Sequence, residues 1–196
     1  MERTTLRSSA RQPAGLWIAL GLLLILAAAG IELAMGREPW CRCGYVKLWQ
    51  GQVLSAENSQ HVADWYTPSH IVHGILFYAA LALAMPRAPL GLRAVLALAV
   101  EAVWEVTENT DWVIDRYREA TIALDYYGDS VVNSVADMLA MLLGFALAAR
   151  LPGWLTLAVA LGLELIALLA IRDNLTLNVL MLLYPLEAIR NWQAGS

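Results

Sequence analysis

Apolar residues along this 196-residue chain gather into long blocks separated by shorter polar stretches. The first uncharged block, Ala14 to Ile31, is long enough to cross roughly 30 Å of hydrocarbon at about 1.5 Å per residue. A second runs from Trp65 to Pro86, and its Thr67-Pro68 pair reads as an N-cap followed by proline at the first helical position. The third block, Leu90 to about Glu108, carries Glu101 and Glu105; the fourth, Ser130 to Ala149, carries Asp137; the fifth, Gly153 to Ile171, carries Glu164. The last, Leu175 to Leu186, is too short to cross unless it extends through Glu187 to Trp192, so it reads as a short or re-entrant helix. The pattern predicts one integral membrane domain over residues 1–196. Its fold class is an all-α polytopic transmembrane helical bundle: five membrane-spanning helices plus a short C-terminal hydrophobic or re-entrant helix. The expected helices lie at about 14–35, 68–86, 90–108, 130–149, 153–171 and 175–190.

Composition agrees: 59% of residues are hydrophobic and 15% charged, against roughly 25% charged in soluble domains. The net charge of −4, with no basic stripe, excludes a nucleic-acid partner and leaves membrane lipids as the surroundings. Arg3, Arg7 and Arg11 precede the first block, but that block exceeds the roughly 7 to 15 apolar residues of a signal peptide and lacks a good cleavage site, so an uncleaved helix is expected. Lysine and arginine totals tie between the two sides. Those at Arg3, Arg7, Arg11, Arg87, Arg93 and Arg150 sit in a short tail and two tight connections, which favours a cytoplasmic N-terminus.

From that orientation depth follows. Glu105, His73, Asp137 and Glu164 lie roughly 18 to 21 Å from the cytoplasmic ends of their helices, one layer in the outer half of the bilayer. His70 and His73 are i,i+3; Glu101, Glu105 and Glu108 are i,i+4,i+7; Asp129, Asn133 and Asp137 are i,i+4,i+8, so each set shares a helix face. Ionisable groups inside a membrane are expensive and point to function. Two imidazoles facing carboxylates suit a divalent ion such as Zn, Mn or Fe, whose charge would also relieve the crowding of Glu105, Glu108 and Asp137. The expected ligands are His70, His73, Glu105 and Asp137, with Glu108 or Glu101 as general base and Arg116 as anchor for a lipid-linked anionic substrate. That describes a metal-dependent envelope enzyme acting on a lipid-linked or phosphorylated substrate.

Other readings stand beside it. The carboxylates fit protonated interhelical contacts in an assembly protein, or a proton relay in a transporter. Asp129 or Ser130 fits an N-cap of the fourth helix, Asp111, Asp115, Glu119 and Asp125 a solvated loop face, His61 an exposed loop residue, and Glu164 a place near the sixth segment. Haem is disfavoured as a cofactor because i,i+3 histidines on one helix cannot clamp it from both faces. Cys41 and Cys43 fit a disulfide or a soft-metal pair, with structural pairing preferred.

Three stretches carry a resemblance: Gly36 to Gly74, with Cys41-Arg42-Cys43-Gly44 and Thr67-Pro68-Ser69-His70-Ile71-Val72-His73; Trp104-Glu105-Val106-Thr107-Glu108-Asn109 through Gly128-Asp129-Ser130 to Asp137; and Arg172-Asp173-Asn174-Leu175-Thr176-Leu177-Asn178. Together they resemble an uncharacterised family of small proteobacterial multi-pass inner-membrane proteins, domain of unknown function 2585. That resemblance implies an inner-membrane location and no particular activity. More loosely, the Glu105-x-x-Glu108 and Asp129-x-x-x-Asn133-x-x-x-Asp137 patterns are similar to acidic helices of the VanZ-like proteins, which would imply a cell-envelope role.

Overall fold

The structure, a computed structural model, describes residues 13–121, 123 and 125–195; Arg3, Arg7 and Arg11 lie outside the described residues. Among these residues the fold is all-helical, and the one isolated bridge, Gln50 to Asp64, lies in a loop. The helices are α1 (Ala14–Ala34), α2 (Thr67–Ala84), α3 (Leu90–Glu108), α4 (Asp111–Ala120), α5 (Val131–Arg150), α6 (Gly153–Ile171), α7 (Leu175–Leu183) and α8 (Glu187–Ala194). Four of them, α1, α2, α5 and α6, are long and apolar enough to cross a membrane. Their outward faces are apolar, as at Leu23, Leu83, Leu157 and Leu169, which is what a hydrocarbon solvent demands of a bundle surface. α3 matches them in length but carries Arg93, Glu101, Glu105 and Glu108.

Three expectations about the helices need correction. The segment 175–190 is not one helix: α7 and α8 are broken around Pro185, which has no N–H to donate and pushes Tyr184 out of the helical region, to φ −144° and ψ 85°. The acidic stretch after Asn109 is not a loop but α4, capped by the Thr110 hydroxyl accepting from Val113 N, with Asp111 in the first turn and Arg118 in the last. Its face of Val113, Ile114, Tyr117 and Ala120 is buried while Asp111, Asp115 and Glu119 point outward. Third, Thr67 is not an N-cap; Tyr66 precedes the helix without a side-chain cap, and the Thr67 hydroxyl is used elsewhere.

α2 and α5 form the central pair. Small residues let their backbones touch: a Cβ on Gly74 would lie 1.9 Å from the Met141 carbonyl oxygen, and one on Gly144 would lie 1.9 Å from that of Ile71. α1 lies along α3, α6 packs on α2, and α4 packs on α7. Below the polar end, Ala97, Leu98, Met138, Met141 and Phe145 with Ala28 form an apolar core.

The loop between α1 and α2 folds back over the start of α5. Val131 N donates to Glu38 O at 2.9 Å and Ser130 N to Ser59 O at 3.0 Å, so loop carbonyls satisfy amides that a helix start leaves unpaired. Gln60 Nε2 donates to Gly128 O at 2.8 Å and Asn133 Nδ2 to His61 O at 2.9 Å. This roofing buries His61, which is only 1% exposed rather than an exposed loop residue. Cys41 and Cys43 are joined by a disulfide within the same loop.

Glu57 is the loop's electrostatic hub. It accepts from Lys47 Nζ at 2.5 Å and Tyr45 Oη at 2.9 Å, and meets His61 Nε2 at 3.1 Å. These hydrogen bonds, Lys47's first, lower its pKa to about 2. A depressed carboxylate contributes stability that is complete above its ordinary value of about 4.5 and is lost as pH falls toward 2. Amide hydrogen exchange in residues 45–61 should therefore accelerate below about pH 4.5 relative to that of the helices. In Glu57→Gln the faster exchange should already be present at neutral pH; protection independent of both would refute this role.

Candidate functional site

Helical spacing places His70 and His73 on one face of α2, Glu101 and Glu105 on one face of α3, and Asn133 and Asp137 on one face of α5. The packing of the three helices brings these faces together. Glu101 Oε1 lies 2.7 Å from His70 Nδ1 and 3.2 Å from His73 Nδ1, and its Oε2 lies 3.1 Å from His73 Nδ1, so one carboxylate holds both imidazoles by the same ring nitrogen. Glu105 Oε1 is 3.3 Å from His70 Nδ1, and Asp137 Oδ2 is 3.8 Å from His70 Nε2. Glu101 and Glu105 are 0% exposed and Asp137 3%. Burial of this depth requires charged carboxylates to have a proton, a cation or strong donors beside them.

His70, His73 and Glu101 can each offer one ligand atom so that all three lie within 4.8 Å of one another. In tetrahedral coordination at about 2.0 to 2.1 Å, ligand atoms stand roughly 3.3 to 3.4 Å apart, so the 2.7 and 3.1 Å separations of Glu101 from the two imidazoles would widen slightly to admit an ion. Neither oxygen of Glu105 has a hydrogen-bond partner. A fully buried carboxylate without a hydrogen-bond partner is a place where a bound proton or cation would be accommodated. Asp137, by contrast, accepts from the Thr67 hydroxyl at 3.2 Å, and that hydroxyl accepts in turn from Asp64 N at 3.1 Å. Thr67 thus serves the site rather than the helix start.

A cavity of about 260 Å³ adjoins the cluster, lined at one end by Tyr66, His70, Glu108, Tyr117, Asp129 and Asp137. His73, Phe77, Val100 and Trp104 line it further along α2 and α3. Burial, with Glu108 nearby, holds the Asp129 carboxyl well above the usual carboxylate range. Among the described residues no lysine or arginine lines this cavity. Arg116 is engaged elsewhere, where its Nε donates to Leu182 O at 2.8 Å and ties α4 to α7. Glu164 likewise stays out of the cluster, accepting from Leu175 N at 3.0 Å, Thr176 N at 3.1 Å and the Thr176 hydroxyl at 2.6 Å, where a carboxylate suits a helix start. Ser130, not Asp129, caps α5 by accepting from Asn133 N.

Two participants escape the sequence patterns, as does a buried carboxylate, Glu32, outside the cavity lining. Asn109 links α3 to the entry of α5, accepting from Asp129 N at 2.7 Å and donating to Ser134 Oγ at 3.2 Å. Tyr117, in a stretch that reads as loop, lines the cavity and donates to Asn178 Oδ1 at 3.0 Å. Glu32 is 0% exposed near the end of α1, with both carboxylate oxygens unpartnered. Its burial depends on which face of α1 turns inward, since its neighbours Ile31 and Leu33 are exposed.

Comparison with known proteins gives a family and names no activity. A family described as "Protein of unknown function (DUF2585)" matches residues 32–195. Similar chains include a UPF0314 protein of Paracoccus denitrificans, 58% identical over 94% of this chain and 95% of its own length. Another is a UPF0314 protein of Brucella anthropi, 50% identical over 98% and 99%. A third, from Rhizobium etli, is 54% identical over 91% and 92%. No solved structure matches the chain, and these matches do not show a link to the VanZ-like proteins. With a family match over most of its length and close relatives along nearly all of it, this membrane protein belongs to the DUF2585 family.

Proposed function

We propose that this chain is a metal-dependent enzyme of the bacterial inner membrane, with its N-terminus in the cytoplasm and its polar end facing the periplasm. The observation that carries the reading is the convergence of His70, His73 and Glu101, three ligand atoms within 4.8 Å in a bundle interior. Two histidines and one carboxylate are a ligand set that catalytic zinc uses with a fourth position left for water. In this assignment Glu101 is a ligand, Glu105 and Asp137 are the adjoining carboxylates, and Glu108, which lines the cavity, is the general base. The ion would lower the pKa of bound water and polarise a phosphoryl or carbonyl oxygen. As the cavity lining supplies no basic side chain among the described residues, the ion is also the positive charge that would receive an anionic group of a lipid-linked or phosphorylated substrate. α3 is the fifth crossing helix, its acidic side turned inward toward α2 and α5 and Val100 and Val103 outward.

A transporter reading needs a polar path past Glu101, and the close-packed Ala97, Leu98, Met138, Met141 and Phe145 on that side argue against one. The test is elemental analysis of protein purified from its native membrane without chelator. About one divalent ion per chain is expected, by analogy with other sites of this ligand class. It should be lost in His70→Ala. Native protein that holds no stoichiometric divalent metal, while remaining folded, would overturn the proposal.

A further inference from the structure

An apolar groove on the outside of the bundle adjoins the cavity beside the histidines. The groove, about 570 Å³, is lined by Leu81, Leu96, Ala99 and Val103, and it shares two walls, Phe77 and Val100, with the cavity. Its lining is wholly apolar, whereas the cavity beyond Phe77 presents His70, Glu108 and Asp137. His73 stands at the junction, stacked on Phe77 with ring centroids 5.7 Å apart and edge-on to Trp104 at 6.5 Å. The groove opens sideways: Val100 is 53% exposed and Val103 68%. From Phe77 to Leu81 it follows α2 for about 6 Å at 1.5 Å per residue, away from the polar end.

We infer that the site takes a phosphate-bearing lipid directly from the bilayer, with the headgroup in the cavity and one hydrocarbon chain in the groove between α2 and α3. The inference rests on the metal reading for the headgroup alone. The cavity's carboxylates, with no cationic side chain in its lining among the described residues, would repel a phosphate unless an ion is bound. The chain's position rests separately on the shared walls Phe77 and Val100 and on the change from polar to apolar lining across them. A soluble phosphate ester would have no use for a groove that faces lipid.

The test uses the full-length, metal-loaded protein in phosphatidylcholine vesicles containing phosphatidic acid with a photoactivatable diazirine on one acyl chain. Cross-links should concentrate on residues 77–81 of α2 and 96–103 of α3. Val100→Trp, which fills the groove at an exposed position, should lower them by roughly tenfold, while Leu165→Trp on the outer face of α6 should leave them unchanged. A diacylglycerol carrying the same chain should label the groove less than phosphatidic acid does, and chelation should erase that difference. Cross-links spread equally over α1 and α6, or unmoved by Val100→Trp, would overturn the groove assignment. Equal labelling by the two probes in metal-loaded protein would overturn the phosphate headgroup. Should the native protein hold no metal, the enzyme reading and the phosphate headgroup fail together, and the Val100→Trp comparison still decides the groove.

Discussion

Replacing Gly74 or Gly144 with alanine should separate α2 from α5 and take the candidate site apart with them. An added Cβ at Gly74 would meet the Met141 carbonyl oxygen at 1.9 Å and Phe145 N at 2.6 Å; at Gly144 it would meet the Ile71 carbonyl oxygen at 1.9 Å. Both obstacles are backbone, so no rotamer change relieves them, and one helix must move. Overpacking typically costs about 1 to 3 kcal/mol, and a backbone obstacle puts these substitutions at the upper end. Gly74 sits next to His73 and one turn from His70, so the displaced helix carries both imidazoles away from Glu101. Gly162 on α6 has nothing within 4 Å of its would-be Cβ, and alanine there should be neutral or stabilising, since glycine costs a helix about 1 kcal/mol. Thermal unfolding in detergent distinguishes the two cases. A Gly74→Ala protein that melts with the wild type would mean that the helices do not cross this closely.

The second large effect concerns Glu101. Its carboxylate meets both His70 Nδ1 and His73 Nδ1, and no other side chain contacts both rings by hydrogen bonds among the described residues. Glu101→Gln keeps the shape but removes the negative charge and one acceptor. Loss of even a supporting group around a metal lowers affinity by roughly 10- to 100-fold, and loss of a ligand should reach the upper end of that range or beyond. Asp137→Asn should weaken binding less, because Asp137 stands 3.8 Å from His70 Nε2 and already receives a hydrogen bond from Thr67. Competition with a metal-sensitive dye would rank the variants. If Asp137→Asn costs as much as Glu101→Gln, Asp137 is a ligand in its own right. If neither substitution changes metal affinity but both change the melting temperature, the cluster is an interhelical contact.

Much of this arrangement is legible along the chain because helical periodicity is local. The i,i+3 histidines and the i,i+4 carboxylates are set by spacing, and the rise per residue puts His73, Glu105 and Asp137 at comparable heights. The break around Pro185 and the Thr110-Asp111 start of α4 also leave signals, a proline and a cap, although the continuous apolar run and the density of charge point elsewhere. Burial of His61 leaves no such signal. It depends on Gln60 reaching Gly128 and Asn133 reaching His61, contacts across 68 and 72 residues of chain.

Hydropathy and a fixed helical pitch are thus enough to set the membrane-type helices, the layer of ionisable groups and the face each one occupies. Which faces meet is a matter of packing. A helix face can turn toward any neighbour, and the close Gly74–Gly144 crossing, with α3 alongside, sets the turn that gives both histidines to Glu101 and leaves Glu105 without a hydrogen-bond partner. Arg116 and Glu164 are drawn off for the same reason: their nearest partners, Leu182 and the start of α7, become neighbours only on folding.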